Sequence, residues 1–357
     1  MSKLLEGRRL IALDFEVMVN SISPLTGKPY WCVVFIEVET GNAKIIRNDV
    51  EELRRFYEAC KDDIFISYNG RNYDQWIFKG LLLDYCPAYI TKKIIEENMH
   101  GAMFIRNHSK VPLFHYDASN KFNSLKQLEA FMGSEIQESS VPFDLDRPMT
   151  EEEERELVRY CVHDVRELIK VFNKTKKSFN AIIGVLEMFD KPLDLINKTA
   201  SQITAQVLGA KKLDYQDNEF DFIYPETLKL NKYQFVKDWF DDIKNGKIDT
   251  SAKVELDTII SGVPTTLSLG GLHSSFSNYN KEGRIFAIDV KSLYPSLIIR
   301  YLLMSRAVDG IEMFKQILET RFKYKAEKNP LQEALKLVLN FGSSIKNSFN
   351  SSSLVLD

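Results

Sequence analysis

Two carboxylates two residues apart, Asp14 and Glu16, are the first side chains in this sequence with the makings of chemistry. They lie in Leu10-Ile11-Ala12-Leu13-Asp14-Phe15-Glu16-Val17, which reads as a strand whose alternation puts both acids on one face. Adjacent carboxylates repel unless a cation lies between them, so the pair marks a candidate metal site. The same triplet also occurs on ordinary solvent faces, and alone it decides little. Asp74 comes after the turn-rich Asn69-Gly70-Arg71-Asn72-Tyr73 and stands at the start of a helical pattern over Gln75 to Asp84. That placement lets a loop bring it near the first strand. Tyr160 and Asp164, four residues apart, share one face of a helix, a spacing that a packed tyrosine and a surface aspartate also produce. Asp289 ends the apolar run Ile285-Phe286-Ala287-Ile288, read as a buried strand, and Pro295 falls in the first turn of the next helix. A carboxylate at a strand end suits a divalent metal carrying phosphates; the plainer alternative is an aspartate capping the strand.

The elements that must position these groups are legible from pattern. Trp31 to Val38 and Ile64 to Tyr68 read as further strands. Thr150 with Glu153 three residues on is a capping box, and Leu157, Cys161, Val165 and Leu168 form the apolar stripe of the helix it starts. Asn180 to Leu186 and Thr199 to Leu208 read as helices packed on this first part of the chain. Gly209 to Leu256 carries no chemical motif and reads as connecting helices and loops. Gly310 to Lys328 and the stretch from Pro330 read as two antiparallel helices joined by a tight Lys328-Asn329 turn. Strand and helix patterns interleave, which predicts an α/β (α+β) chain.

At 357 residues there is room for two or more domains with proper cores. The charged fraction of 27% and hydrophobic fraction of 44% are those of an ordinary globular protein. No apolar run reaches membrane-spanning length and the N-terminus is no secretory signal, so a cytoplasmic location is expected. Cys32, Cys60, Cys86 and Cys161 are scattered without zinc spacing and read as reduced and mostly buried. The net charge of −3 does not advertise nucleic-acid binding, although Arg300 to Lys346 holds nine Lys/Arg against five Asp/Glu.

Taken in order, Asp14/Glu16, then Asn69 and Asp74, then Tyr160/Asp164 resemble the three motifs of the DEDD-type 3′–5′ exonuclease domain, tyrosine subclass. Ser124 to Gly133 and Glu138 to Asp144 are similar to phage B-family DNA polymerases, and Asp289-x-x-Ser-Leu-Tyr-Pro-Ser resembles the first palm motif of that family. The resemblance implies a ribonuclease-H-like exonuclease domain over 1–176, connecting helices and the start of a palm over 177–284, and a partial palm with a fingers hairpin over 285–357. It implies two Mg²⁺ (or Mn²⁺) ions held by Asp14, Glu16, Asp74 and Asp164. Tyr160 would orient the attacking water and Asn69 would hold a single-stranded DNA 3′ end. Asp289 would be a metal ligand of the polymerase site. Tyr294 would lie under the sugar of an incoming deoxynucleoside triphosphate, and Arg321, Lys325, Lys336 and Asn340 would bind that nucleotide.

Three departures qualify the likeness. Ser268-Leu269-Gly270-Gly271 resembles the family's template-contacting Tyr-x-Gly-Gly loop, with serine in place of tyrosine, which leaves Gly270 and Gly271 as DNA-binding candidates. After Asn340, Phe341-Gly342 falls two residues short of the fingers pattern, which rotates every later helical position by about 200°. The second palm motif and the thumb do not occur. The expectation is therefore the N-terminal portion of a phage-type polymerase acting on a primer-template in a bacterial host, exonuclease-competent but unable to polymerise alone. A stand-alone exonuclease, or half of a split polymerase needing a second chain, are the alternatives.

Overall fold

The computed structural model of the chain describes residues 2–23, 26–119, 123–211, 224, 226–250, 253–269, 271–284, 286–304 and 307–341. They fall into two compact units, one from residues 1–212 with those from Ser292 onward, the other from Leu213–Lys291. The helices are α1 (Val50–Cys60), α2 (Asp74–Leu82), α3 (Pro87–Thr91), α4 (Gly101–Phe104), α5 (Leu125–Met132), α6 (Glu151–Met188), α7 (Ala200–Val207), α8 (Gln234–Lys244), α9 (Leu293–Tyr301), α10 (Glu312–Ala326) and α11 (Gln332–Phe341).

In the first unit five strands, β1 (Leu10–Ile22), β2 (Pro29–Glu37), β3 (Ala43–Arg47), β4 (Ile64–Ser67) and β5 (Phe114–Asp117), make a mixed sheet in the order β3-β2-β1-β4-β5. β1, β2 and β3 are antiparallel neighbours, whereas β4 and β5 run parallel to β1. Strand alternation divides the residues of β1 between two layers. Ile11, Leu13, Phe15 and Val17 join Trp31, Val33 and Phe35 of β2 in a core with Leu53 of α1 and Trp76, Ile77 and Phe78 of α2. Phe15 sits at its centre, with its ring 5.7 Å from that of Phe78. The even-numbered side chains, Asp14 and Glu16 among them, face the other layer. There α6 packs on β1 and β2 through its buried Leu157, Cys161, Val165 and Leu168.

The start of α6 is held as its sequence requires. Thr150 Oγ1 accepts from the Glu153 backbone N–H at 3.2 Å, and Glu153 Oε2 accepts from the Thr150 N–H at 2.8 Å. Arg147 pairs with the same glutamate at 2.5 Å, and together these hold the Glu153 carboxyl down to about 2. The helix then runs unbroken for 38 residues, so the division expected at 176 falls inside it and Asn180–Leu186 is its closing stretch, not a separate helix. Lys174-Thr175-Lys176-Lys177-Ser178 looks like a polar linker, but it contains neither Pro nor Gly to interrupt the hydrogen-bond ladder. The expected hairpin of α10 and α11 forms, and α11 packs on α6 and α7. A Cβ at Gly184 of α6 would stand 3.3 Å from both Ala334 and Leu331, so glycine permits the close approach of α11.

The second unit contains α8 and an antiparallel sheet of β6 (Glu255–Ile260), β7 (Val263–Ser268) and β8 (Gly271–Ser274). Strand β6 begins inside the stretch read as connectors. Leu256, Thr258 and Ile260 share its half-buried face, with Glu255 and Asp257 on the other, a period-two pattern that only Ile259 breaks. Ser268 pairs with Gly271 across the β7–β8 turn, and Gly270 lies outside the described residues.

The buried strand expected to deliver Asp289 is not formed. Residues 286–290 belong to no strand, and Phe286 and Ile288 are 84% and 92% exposed. A strand needs a neighbour to take its N–H and C=O groups, and no described strand pairs with this run. Ile285 lies outside the described residues, as do 342–357. Among the described residues no helix is long and apolar enough to cross a membrane.

Replacing Thr150 by alanine removes the acceptor for the Glu153 N–H and is expected to cost about 1 kcal/mol of stability. Urea unfolding checks this, with Thr150→Ser as the control that should restore it.

Candidate metal centre

β1, α2 and α6 converge on the acidic face of β1. The carboxylates of Asp14, Glu16 and Asp164 present oxygens that all lie within 4.8 Å of one another. Asp14 and Glu16 stand opposite Val34 and Cys32 in the β1–β2 register, and Asp164 arrives from the buried face of α6. Cys161, one turn earlier, anchors that helix by donating to the Asp14 carbonyl at 3.3 Å.

Asp74 joins them by a different route. β1 pairs with β4 only as far as Ala12, so the next amide on that edge needs another acceptor. Asp74 Oδ1 supplies it, accepting from the Phe15 N–H at 3.0 Å between the two acids of β1. Asp74 is itself the first residue of α2 and only 2% exposed. The loop before it tolerates nothing larger than glycine at position 70, where a Cβ would lie 1.7 Å from Ser67 Oγ and 3.0 Å from Asp74 Oδ2. Asn69, exposed and in the left-handed region at φ +60°, is fixed from below by Asp117, which accepts from its backbone N–H at 2.9 Å.

Carboxylates gathered away from water resist ionisation. Burial, then the charges of Asp74 and Asp164, push the Asp14 carboxyl well above its usual range. Burial and then Asp14 do the same to Glu16. Asp74 is pushed up to about 7, chiefly by burial, with the Phe15 N–H pulling the other way. Tyr160, half-buried, is raised by burial and then by Asp164. A cation reaches the group: Lys126 of α5 lies 2.6 Å from Asp164 Oδ1 and 4.8 Å from the centre of the Tyr160 ring. Sequence reasoning missed Lys126, and with it Glu129 and His163 close by. The signal for Lys126 was its place in the capping-box helix Ser124-Leu125-Lys126-Gln127.

The other expected residues are more dispersed. Asp289 is exposed in the second unit and belongs to neither cluster of three metal-ligating side chains found among the described residues. Tyr294 on α9 is 65% exposed. Arg321 of α10 donates to Ser292 Oγ at 2.8 Å, and its buried Nε has no partner. Lys325 and Asn340 are exposed, and Lys336 stands 3.9 Å from Glu333. Gly271 opens β8 in an extended backbone with φ +151°, which glycine adopts freely.

The sequence matches no known family model and no curated protein.

The raised acids make stability depend on pH with a definite sign. Between about 4 and 7 the folded, metal-free chain keeps protons that the unfolded chain has released, so this group's contribution falls as pH rises. Glu153, held down to about 2, contributes the opposite slope only at lower pH. Buried His115, lowered to about 4, opposes this slope below about pH 6.5, so the melting temperature in chelator should drop from about pH 6.5 to about pH 8, and Mg²⁺ or Mn²⁺ should recover it most at the upper end. A flat or rising profile would contradict the assignment.

Proposed function

We propose that the chain is the N-terminal portion of a phage-type B-family DNA polymerase, and that residues 1–176 are a 3′–5′ exonuclease domain of the DEDD type. The observation that carries this is the convergence of Asp14, Glu16 and Asp164 within 4.8 Å, with Asp74 bonded to the amide between the first two. The sheet order, three antiparallel strands continued by two parallel ones, supports a ribonuclease-H-like domain beneath that cluster.

In this reading Asp14, Glu16, Asp74 and Asp164 hold two Mg²⁺ (or Mn²⁺) ions. When bound, such ions supply an activated water and stabilise the departing 3′ oxygen. Tyr160 orients the water by hydrogen bonding. Its hydroxyl keeps its proton, since burial and the neighbouring acids oppose ionisation. Asn69, exposed on the loop beside Asp74, holds the single-stranded 3′ end. On the polymerase side Arg321, Lys325, Lys336 and Asn340 are the candidates for binding a deoxynucleoside triphosphate and Tyr294 for lying against its sugar; Asp289, in the other unit, is a separate candidate metal ligand. Gly270 and Gly271 approach the template of the primer-template.

A partnered version of this reading has an observation in its favour. Phe286 and Ile288 are almost fully exposed beside Asp289, as expected of a strand awaiting a neighbour from a second chain.

Asp14→Ala and Asp164→Ala should each abolish the Mg²⁺-dependent shortening of a 5′-labelled single-stranded DNA. Undiminished shortening by either purified variant would refute the exonuclease. Primer extension should be absent for this chain alone and appear only with a chain carrying the second palm motif.

A further inference from the structure

Beside the Asp14–Glu16 cluster, α5 and α6 enclose a second set of ligating atoms, of which the proposed exonuclease uses Asp164 and leaves Glu129 and His163 without a role. Glu129 of α5 is 0% exposed, and neither of its carboxylate oxygens has a hydrogen-bond partner. Lys126 Nζ lies 3.5 Å from one oxygen, close enough for charge attraction, and His163 Nε2 lies 3.7 Å from the other; both are too far for a hydrogen bond. The same His163 nitrogen is buried and has no hydrogen-bond partner either. Asp164 completes the group, and the ligating atoms of Glu129, His163 and Asp164 all lie within 4.8 Å of one another.

Buried polar atoms in a folded protein are normally satisfied, and a carboxylate with two unfilled oxygens facing an unfilled imidazole nitrogen is a conspicuous exception. The donor set of two carboxylates and one imidazole is incomplete as a hydrogen-bond network but complete as three ligands of a four-coordinate ion, with water as the fourth. Imidazole favours zinc over magnesium, which prefers an octahedral shell of oxygens. We propose that Glu129, His163 and Asp164 form a Zn²⁺ site distinct from the Asp14–Glu16 centre and sharing Asp164 with it.

Lys126 then has a defined part. Its ammonium, 2.6 Å from Asp164 and 3.5 Å from Glu129, occupies the place of the cation. The side chain is 26% exposed, so it has an outlet to solvent when Zn²⁺ enters. Glu167, one turn beyond His163 on α6, is engaged by Lys170 and completes the charged surroundings. Because Asp164 is shared, Zn²⁺ bound here draws it away from the Asp14–Glu16 centre. Zinc is therefore an inhibitor of whatever divalent-ion chemistry that centre performs.

The test is calorimetric titration of the metal-free full chain with ZnCl2, made in an Asp14→Asn/Glu16→Gln background so that the neighbouring centre does not contribute. One Zn²⁺ should bind. Adding His163→Gln or Glu129→Gln should weaken it at least tenfold, and adding Lys126→Met should tighten it by removing the competing ammonium. The Co²⁺ form should show visible absorption of a four-coordinate, nitrogen-containing site that His163→Gln loses. Absence of Zn²⁺ binding in that background, or equal affinity with and without His163→Gln, would overturn the site. The gain expected from Lys126→Met cannot arise from misfolding, and no readout depends on nuclease activity, so failure of the exonuclease reading would be seen separately.

Discussion

The structure depends on how one strand divides its side chains. β1 sends Leu13, Phe15 and Val17 into an aromatic core and Asp14 and Glu16 toward α6. A slip of one residue in its pairing with β2 would drive both acids among Phe35, Phe65 and Phe78 and turn Phe15 outward, so the register is strongly specified. The apolar face supplies the burial, and the acidic face carries its electrostatic cost. That cost is tolerated because the acids keep their protons or gain a cation. The contact between Asp74 and the Phe15 amide joins both faces, since it satisfies the strand edge left open where β4 ends while adding a fourth acid.

α5 and α6 manage the remaining charge. Asp164 has Lys126 against it, and Tyr160 borders the same ammonium. Glu129 lies 3.5 Å from Lys126 and 3.7 Å from His163, and closes a hydrogen bond with neither. Asp164 of α6 and Glu129 of α5 thus share the ammonium of Lys126. A divalent ion bound at either cluster changes the demand on Asp164 at the other, which is why the two cannot be treated as independent.

Much of the first unit was legible in the sequence, for physical reasons that differ by residue. Asp14 and Glu16 share a face by strand alternation, and the capping box at Thr150 is a local exchange of hydrogen bonds. Neither requires knowledge of the rest of the chain. Asp74 was placed at a helix start, but its bond to the Phe15 amide arises only because β4 stops early, which is a tertiary fact. Lys126, Glu129 and His163 went unnoticed because their significance lies in the packing of α5 on α6 and not in spacing along either helix. The division at 176 followed the resemblance, whereas helix propensity through Lys174–Ser178 is undisturbed and α6 continues to Met188. The run before Asp289 failed for the opposite reason. Its apolar pattern is a strand's, but a strand exists only in pairing, and pattern alone does not supply the partner.

That contrast also ranks the two candidate centres. Asp14, Glu16, Asp74 and Asp164 are brought together by elements of a single unit, all within residues 1–188, and the burial that raises the acids also builds the ligand set for a metal. Asp289 has no such surroundings: it is exposed, outside any strand or helix, and in neither metal-ligating cluster among the described residues. A lone exposed carboxylate in water binds a divalent ion weakly, because water competes for both partners and no second charge adds to the attraction. For Asp289 to act, the apolar residues around it must first be covered by another strand, and that cover must bring a further ligand. The cluster on β1 already has its acids gathered.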